Sequence, residues 1–142
     1  MADYRQAIGK VLKSEGGYVN DPDDRGGETY KGISRKFWAS WIGWHIIDQI
    51  KKKPGFPATL TGSHELEIKI QLDHEVSAFY YEQFWIKVGG GKIKNQEIAE
   101  MLLDSAVNEG IVPAVKRAQM IVHLPVTGKI SPELITKLNA VA

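Results

Sequence analysis

Glu15 stands just before Gly16-Gly17, and a loop rich in glycine and acidic side chains follows, with Asp21, Asp23, Asp24 and Glu28 leading to Thr29. A glutamate in the last turn of a helix faces the negative end of the macrodipole, which disfavours its charged form and raises its pKa. A carboxyl that holds its proton near neutral pH is a general acid. A second carboxylate close by pushes one of the two pKa values up further. Glycosidic-bond hydrolysis needs this pair: one group protonates the leaving oxygen, the other activates water or steadies the oxocarbenium-like cation. Glu15 is the acid in this reading. Asp21, Asp23, Asp24 and Glu28 compete for the second role, and Thr29 can hold a water against the sugar. The bland alternative is a solvated glutamate at a helix end, with aspartates that only build Asx turns.

The surrounding residues fit the same chemistry and exclude others. Gly16, Gly17, Gly26, Gly27 and Gly32 are turn formers, and they also let backbone approach a sugar closely. No Gly-Lys-Ser/Thr follows them, so this is not a phosphate-binding loop. Asp21-x-Asp23-x-Arg25-Gly26 begins like a calcium loop, but Arg25 replaces a ligand and Gly32 stands where the closing glutamate belongs. His45, His64, His74 and His123 have no ligand spacing, so neither a metal nor another cofactor is expected. Tyr18 and Tyr30 flank the acidic loop and are assigned to sugar stacking. Trp38, Trp41 and Trp44 are assigned to the core, and Trp85 stands between the two roles. There is no cysteine, which removes disulfides, thiolate nucleophiles and cysteine zinc sites. A net charge of +1 gives no pull toward nucleic acid. No run of about 18 apolar residues is present to cross a bilayer. The start lacks the basic-then-apolar layout of a signal peptide, so synthesis in the cytoplasm is expected. A monomer is expected.

The elements that must position these groups are mostly helical. Tyr4, Ile8, Val11 and Leu12 make one helical face over 3–15, stopped by Gly16-Gly17. Residues 16–32 read as a loop or a small irregular sheet. Ser34 is read as the N-cap of a helix to about Lys53, with Phe37, Trp38, Trp41, Ile42, His45 and Ile46 as its apolar stripe. One helix is expected over about 64–86, ended by Gly89-Gly90-Gly91. Asn95 caps a helix over 96–109 that Gly110 ends, and Pro113 sits in the first turn of another to about His123. Ser131-Pro132 opens a last short helix carrying Leu134, Ile135 and Leu138 inward. The fold class is therefore mainly α, with a small irregular Gly-rich loop or β region after the first helix.

Glu15-Gly-Gly-Tyr-Val-Asn20-Asp21-Pro followed by Gly26-Gly27-x-Thr29-x-x-Gly32-Ile33-Ser34 resembles the signature of glycoside hydrolase family 108. These are lysozyme-like N-acetylmuramidases, many of them encoded by phages or prophages. The likeness continues through Tyr81-x-x-Phe84-Trp85 and Asp104-Ser-Ala-Val-Asn108-Glu-Gly110. Ala114-Val-Lys-Arg-Ala-Gln119 is similar to a C-terminal peptidoglycan-binding helical segment. The resemblance implies a lysozyme-like fold and cleavage of the β-1,4 bond between N-acetylmuramic acid and N-acetylglucosamine. Its partners would be peptidoglycan glycan strands, reached after release or export. It carries the family's acid onto Glu15, and more loosely Asp24 and Thr29 onto catalytic roles. Tyr18, Asn20, Asp21, Gly27, Tyr30, Trp85 and Asn108 are its substrate-binding candidates. It implies a catalytic region over 1–91 and a shortened wall-binding region over 92–142 packed on the first. A non-catalytic wall-binding or secretion-associated adaptor on the same scaffold is the alternative.

Overall fold

The computed structural model describes residues 1–14, 17–23, 27–60 and 66–141. Among these the fold is mainly α and lysozyme-like, with six α-helices and one three-stranded antiparallel sheet. Packing divides the chain into two compact units, Met1–Ser14 with Tyr80–Ala142, and Glu15–Phe79. These bounds follow packing and say nothing about the functional division expected at 91/92.

In the first unit, α1 (Tyr4–Ser14) buries Ala7, Ile8 and Val11, close to the face read from its periodicity. α4 (Gln96–Glu109) packs against α1 and against α5 (Ile111–Ile121). Asn95 caps α4 as its sequence predicts, its side-chain oxygen accepting from the Ile98 N–H at 3.1 Å. Ser131 does the same for α6 (Pro132–Ala140), accepting from the Leu134 N–H at 3.1 Å, and α6 buries Leu134, Ile135 and Leu138. Each cap satisfies a backbone donor that helix geometry leaves without a partner. Gly89 has φ +71°, and a Cβ there would come within 2.9 Å of Ile135; only glycine fits both demands.

Gln119 is the polar exception in this core, with 3% of its surface exposed. Its carbonyl oxygen accepts from the N–H groups of Thr127 and Gly128, both at 2.9 Å. Its amide donates to Thr127 Oγ1 at 2.9 Å and to the Lys129 carbonyl at 3.1 Å. One side chain thus holds the segment between α5 and α6, where Gly128 turns with φ +77°. Gln119→Ala is expected to cost about 2 kcal/mol, because it strands these groups and leaves a small void. A thermal melt should fall by roughly 4–8 °C; an unchanged melt would mean water replaces the glutamine fully.

The second unit holds the sheet. β1 (Tyr18–Asn20), β2 (Glu28–Tyr30) and β3 (Ile33–Ser34) pair in that order. Tyr30 pairs with Ile33, so Lys31-Gly32 is a two-residue hairpin loop. Both residues have positive φ, +47° at Lys31 and +82° at Gly32. That geometry matches the twist of the strands and favours Asn-Gly; a lysine at the first position costs on the order of 1 kcal/mol.

The sheet corrects the expected start of the next helix. Ser34 is a strand residue paired with Thr29, and α2 runs only over Ile42–Lys51. The Ser34 carbonyl accepts the Trp38 N–H at 2.9 Å, but only a single turn follows and it does not run on into a helix, while Arg35 extends the ladder by donating its N–H to the Glu28 carbonyl at 2.9 Å. The late start also changes the helical phase. The buried face of α2 is Trp44, Ile46, Ile47 and Ile50, whereas Phe37 is 69% and Ile42 51% exposed. Trp44 belongs to the core as assigned. Trp38 and Trp41 set their ring edges against Phe79 at 4.8 and 6.1 Å.

α3 (Leu66–Tyr80) buries Leu72, Val76 and Phe79 at helical spacing. The expected single helix to 86 instead changes type. Tyr81–Trp85 is a π-helical turn in which the Ile86 N–H reaches the Tyr81 carbonyl at 3.0 Å. Bonding over five residues lets both Tyr80 and Trp85 be buried, which an α turn would set on different faces.

Candidate functional site

The first described residue after α1 is Gly17. Glu15, Gly16, Asp24, Arg25, Gly26 and His64 lie outside the described residues, so the two expected carboxyl groups of the reaction are located here by sequence alone. The hairpin around them is described. Strand pairing puts Tyr18 opposite Tyr30, Val19 opposite Thr29 and Asn20 opposite Glu28. Opposed residues share a face and neighbours alternate. Tyr18, Asn20, Glu28 and Tyr30 therefore occupy one face of the sheet, and Thr29 with Val19 and Ser34 the other. The hairpin brings Tyr18 and Tyr30 together, but it separates both from Thr29.

Asp21 accepts the Asp23 N–H at 2.9 Å, an Asx turn of the kind that loop aspartates form without any catalysis. Gly27 enters β2 with φ +62°, a conformation suited to glycine. Among the described residues no group of three or more His, Asp or Glu side chains could hold a metal ion, and no helix is long and apolar enough to cross a membrane.

Glu28, one of the four residues competing to be the second carboxyl, has a different occupation. Its side chain is 13% exposed and receives three donors. The Tyr18 hydroxyl donates at 2.6 Å and Arg35 Nη1 at 3.1 Å, and Lys51 Nζ completes the set. Arg35 also grips Asp48 with two bonds of 2.7 and 2.6 Å. Burial works to raise the Glu28 pKa, but the hydrogen bonds from Lys51, Tyr18 and Arg35 outweigh it and hold the carboxyl below its ordinary value. Glu28 is thus kept ionised with three of its roughly four acceptor sites taken, which suits a structural anion. Burial, with the hydrogen bond to Glu28, raises the Tyr18 hydroxyl pKa, so this phenol stays protonated. The Tyr18 ring is further fixed by the edge of Phe56 at 4.7 Å and by Lys51 Nζ at 5.6 Å from its centroid.

Tyr30 is 3% exposed, and burial, with the charge of Asp73, pushes its hydroxyl up to about 12. Tyr18 and Tyr30 still border a cavity of about 440 Å³, whose walls include Pro57, Leu60, Lys31 and Lys69. Lys31, Lys69 and the Glu28 cluster went unread in the sequence. A separation of 23 positions from Glu28 to Lys51 leaves no local pattern. A positive φ at Lys31 could have been suspected from Lys-Gly between two short strands.

Trp85 and Asn108 belong to the other unit. Trp85 is 3% exposed; its ring packs on Tyr4 at 5.4 Å and lies where a Cβ at Gly90 would be. Asn108 is exposed near the end of α4.

A first helix followed by a hairpin, within a mainly α chain, gives a lysozyme-like fold. The chain belongs to the family described as Glycosyl hydrolase 108, whose profile it matches over residues 8–110. That span includes Glu15, Asp24, Thr29 and every substrate-binding candidate. Among solved structures it is similar to SagA of Brucella abortus, with a TM-score of 0.62 and 24% identity, over 98% of this chain and 70% of that one. At that identity the likeness speaks for the fold. A comparison with curated proteins finds no match.

Proposed function

We propose that this chain is a peptidoglycan hydrolase that cleaves the β-1,4 bond between N-acetylmuramic acid and N-acetylglucosamine. One observation carries the reading: the family match over residues 8–110 contains the whole Glu15-to-Ser34 motif. Glu15 protonates the leaving oxygen. Asp24 assists water or the developing cation, and Thr29, on its own face of the sheet, positions the water. Glu28 is set aside for the second role because Tyr18, Arg35 and Lys51 already hold its carboxyl. That leaves Asp24 ahead of Asp21, which is committed to its turn. No cofactor enters the reaction.

Tyr18, Asn20, Asp21 and Gly27 form the polar and aromatic surround on the hairpin. Tyr30 and Trp85 act from beneath the surface, shaping their surroundings more than presenting ring faces. Asn108 offers an exposed amide for an N-acetyl or hydroxyl group. The 92–142 segment serves wall binding. The protein acts as a monomer, on the wall, after release or export.

The test is a reducing-end assay on purified peptidoglycan with mass analysis of the products. Muramic acid at the new reducing terminus is the expected result. Glucosamine there would make the enzyme a glucosaminidase. Binding to sacculi with no new reducing ends would make it an adaptor on a hydrolase scaffold.

A further inference from the structure

We propose that a groove in the first unit, walled by α4 and α5 with α6 adding Leu138 and Val141, docks an amphipathic helix of a protein partner that carries lysine or arginine along one edge. The hairpin belongs to the other unit, and the groove is independent of the hydrolase reading.

The walls have helical spacing on both sides. α4 supplies Ile98, Met101, Leu102 and Ser105, at i, i+3, i+4 and i+7. α5 answers with Ala114, Ala118 and Ile121, at i, i+4 and i+7. Both helices also bury a different face in the core, Ala99, Leu103 and Ala106 on α4 and Val115 with Gln119 on α5. Each helix is therefore apolar on two faces, which ordinarily means a neighbour on each.

The second face is open. Met101 is 64% and Ile121 62% exposed. Ser105, Ala114 and Ala118 are small, and they line a cavity of about 290 Å³. Small side chains at a contact let a second helix axis come close. From Ile98 to Ser105 the helix rises about 10 Å, the length of about two turns of an occupant.

The chemistry of the groove selects among occupants. Among the described residues that line it, none is aromatic and only Ser105 and Arg117 are polar. A sugar would give up more hydrogen bonds to water than two such groups replace. Charge then points to a basic helix. Glu97 and Asp104 share a row of α4 with Met101, at i, i+4 and i+7. Both are exposed, and neither is paired with a cation among the described residues. By contrast, Glu100 is paired with Lys10 at 2.8 Å and Arg117 with Glu109 at 2.7 Å. Lys137 stands one turn before Val141 on α6, so it marks the α6 end, while the free acids mark the α4 edge. An apolar channel with an unmatched acidic edge is the complement of a basic amphipathic helix. An alkyl chain would fill the cavity but leave the acids unused, and a second copy of the chain would bring acids of its own.

The test titrates the full chain with synthetic helical peptides, followed by NMR. The first peptide has leucine at i, i+3, i+4 and i+7 and lysine along one edge. The second has glutamate in place of lysine. The third has the composition of the first in scrambled order. Laurate and an N-acetylglucosamine oligomer stand for an alkyl chain and a glycan.

The basic peptide is expected to bind roughly tenfold more tightly than the other two, with methyl shifts at Ile98, Met101 and Ala118. Glu97→Gln combined with Asp104→Asn should weaken it by roughly three- to tenfold and leave the acidic peptide unaffected or tighter. Met101→Gln, which keeps length but adds a polar end, should weaken it by a similar factor. All three positions are exposed, so melting temperatures should hold, which separates lost docking from unfolding. Absent binding, equal binding of the three peptides, or tighter binding of laurate or the oligomer would overturn the site. So would self-association of the chain that Met101→Gln abolishes.

Discussion

Replacing Glu15 with glutamine is expected to lower reducing-end release from purified peptidoglycan by at least about 100-fold, the usual scale of a lost general acid. Glutamine has the same shape and can still hydrogen-bond, but it has no proton to give a leaving oxygen. The change keeps size and shape and removes only the acidic proton, so the melt should not change. The sequence expectation of a glutamate at the end of the first helix carries with it a raised carboxyl pKa. The wild type should therefore stay active toward neutral pH and lose activity as the pH rises through that value. Asp24→Asn should follow in severity. Asp21→Asn should do less, since its amide oxygen can still accept the Asp23 N–H that the carboxylate now holds at 2.9 Å. Undiminished turnover by the Glu15 variant would sink the assignment.

Glu28→Ala is expected to destabilise the protein by about 2–3 kcal/mol, lowering the melt by roughly 5–10 °C. The carboxyl is 13% exposed, while Lys51 is 31% and Arg35 35% exposed. The cost therefore stays below the roughly 3–5 kcal/mol of a fully buried pair, because water reaches the stranded cations. Arg35 keeps its two bonds to Asp48; Lys51 keeps only the longer ion pair to Asp48 at 3.8 Å, and the Tyr18 hydroxyl loses its acceptor. Glu28→Gln should fall between the two, keeping an acceptor but losing the charge.

The pH dependence has a definite sign. The folded pKa of Glu28 lies below its ordinary 4.5. Its contribution is complete above that ordinary value and is lost as the pH falls through the lowered folded one. Melts of wild type and Glu28→Ala should therefore differ most near neutral pH and converge in acid. A constant gap down to acid would show packing, not charge, at work. Tyr18 loses its anchor in the same variant, so KM for wall substrate should rise.

The helical signals that held were local ones. Asn95, Ser131-Pro132 and Gly110 act on backbone groups within a turn of themselves, and so α4, α5 and α6 could be read to within a residue or two. The Glu15-to-Ser34 motif is also contiguous, which is why a family could be read from it. Ser34 shows the limit. As an isolated residue before an apolar run it is a good cap, yet it ends a strand paired with Thr29, and the single turn that closes from Trp38 onto its carbonyl does not run on into α2. Once that start moved, the stripe counted from Phe37 fell out of phase; Ile46 stays on the buried face, which Trp44, Ile47 and Ile50 complete. At Tyr81–Trp85 the helix keeps running but changes its bonding, and no breaker residue marks the place.

The sequence by itself determined the predominance of helix and most helix ends, and it is the source of the chemistry proposed for Glu15, Asp24 and Thr29, because these depend on residue type and short spacing. Only the tertiary structure decided that Glu28 is a held anion, that Thr29 and the tyrosines lie on opposite sheet faces, and that Lys31 and Lys69 share a cavity. Those facts arise from strand register and from contacts between residues far apart in the chain, where side-chain chemistry is chosen by neighbours that no local pattern names.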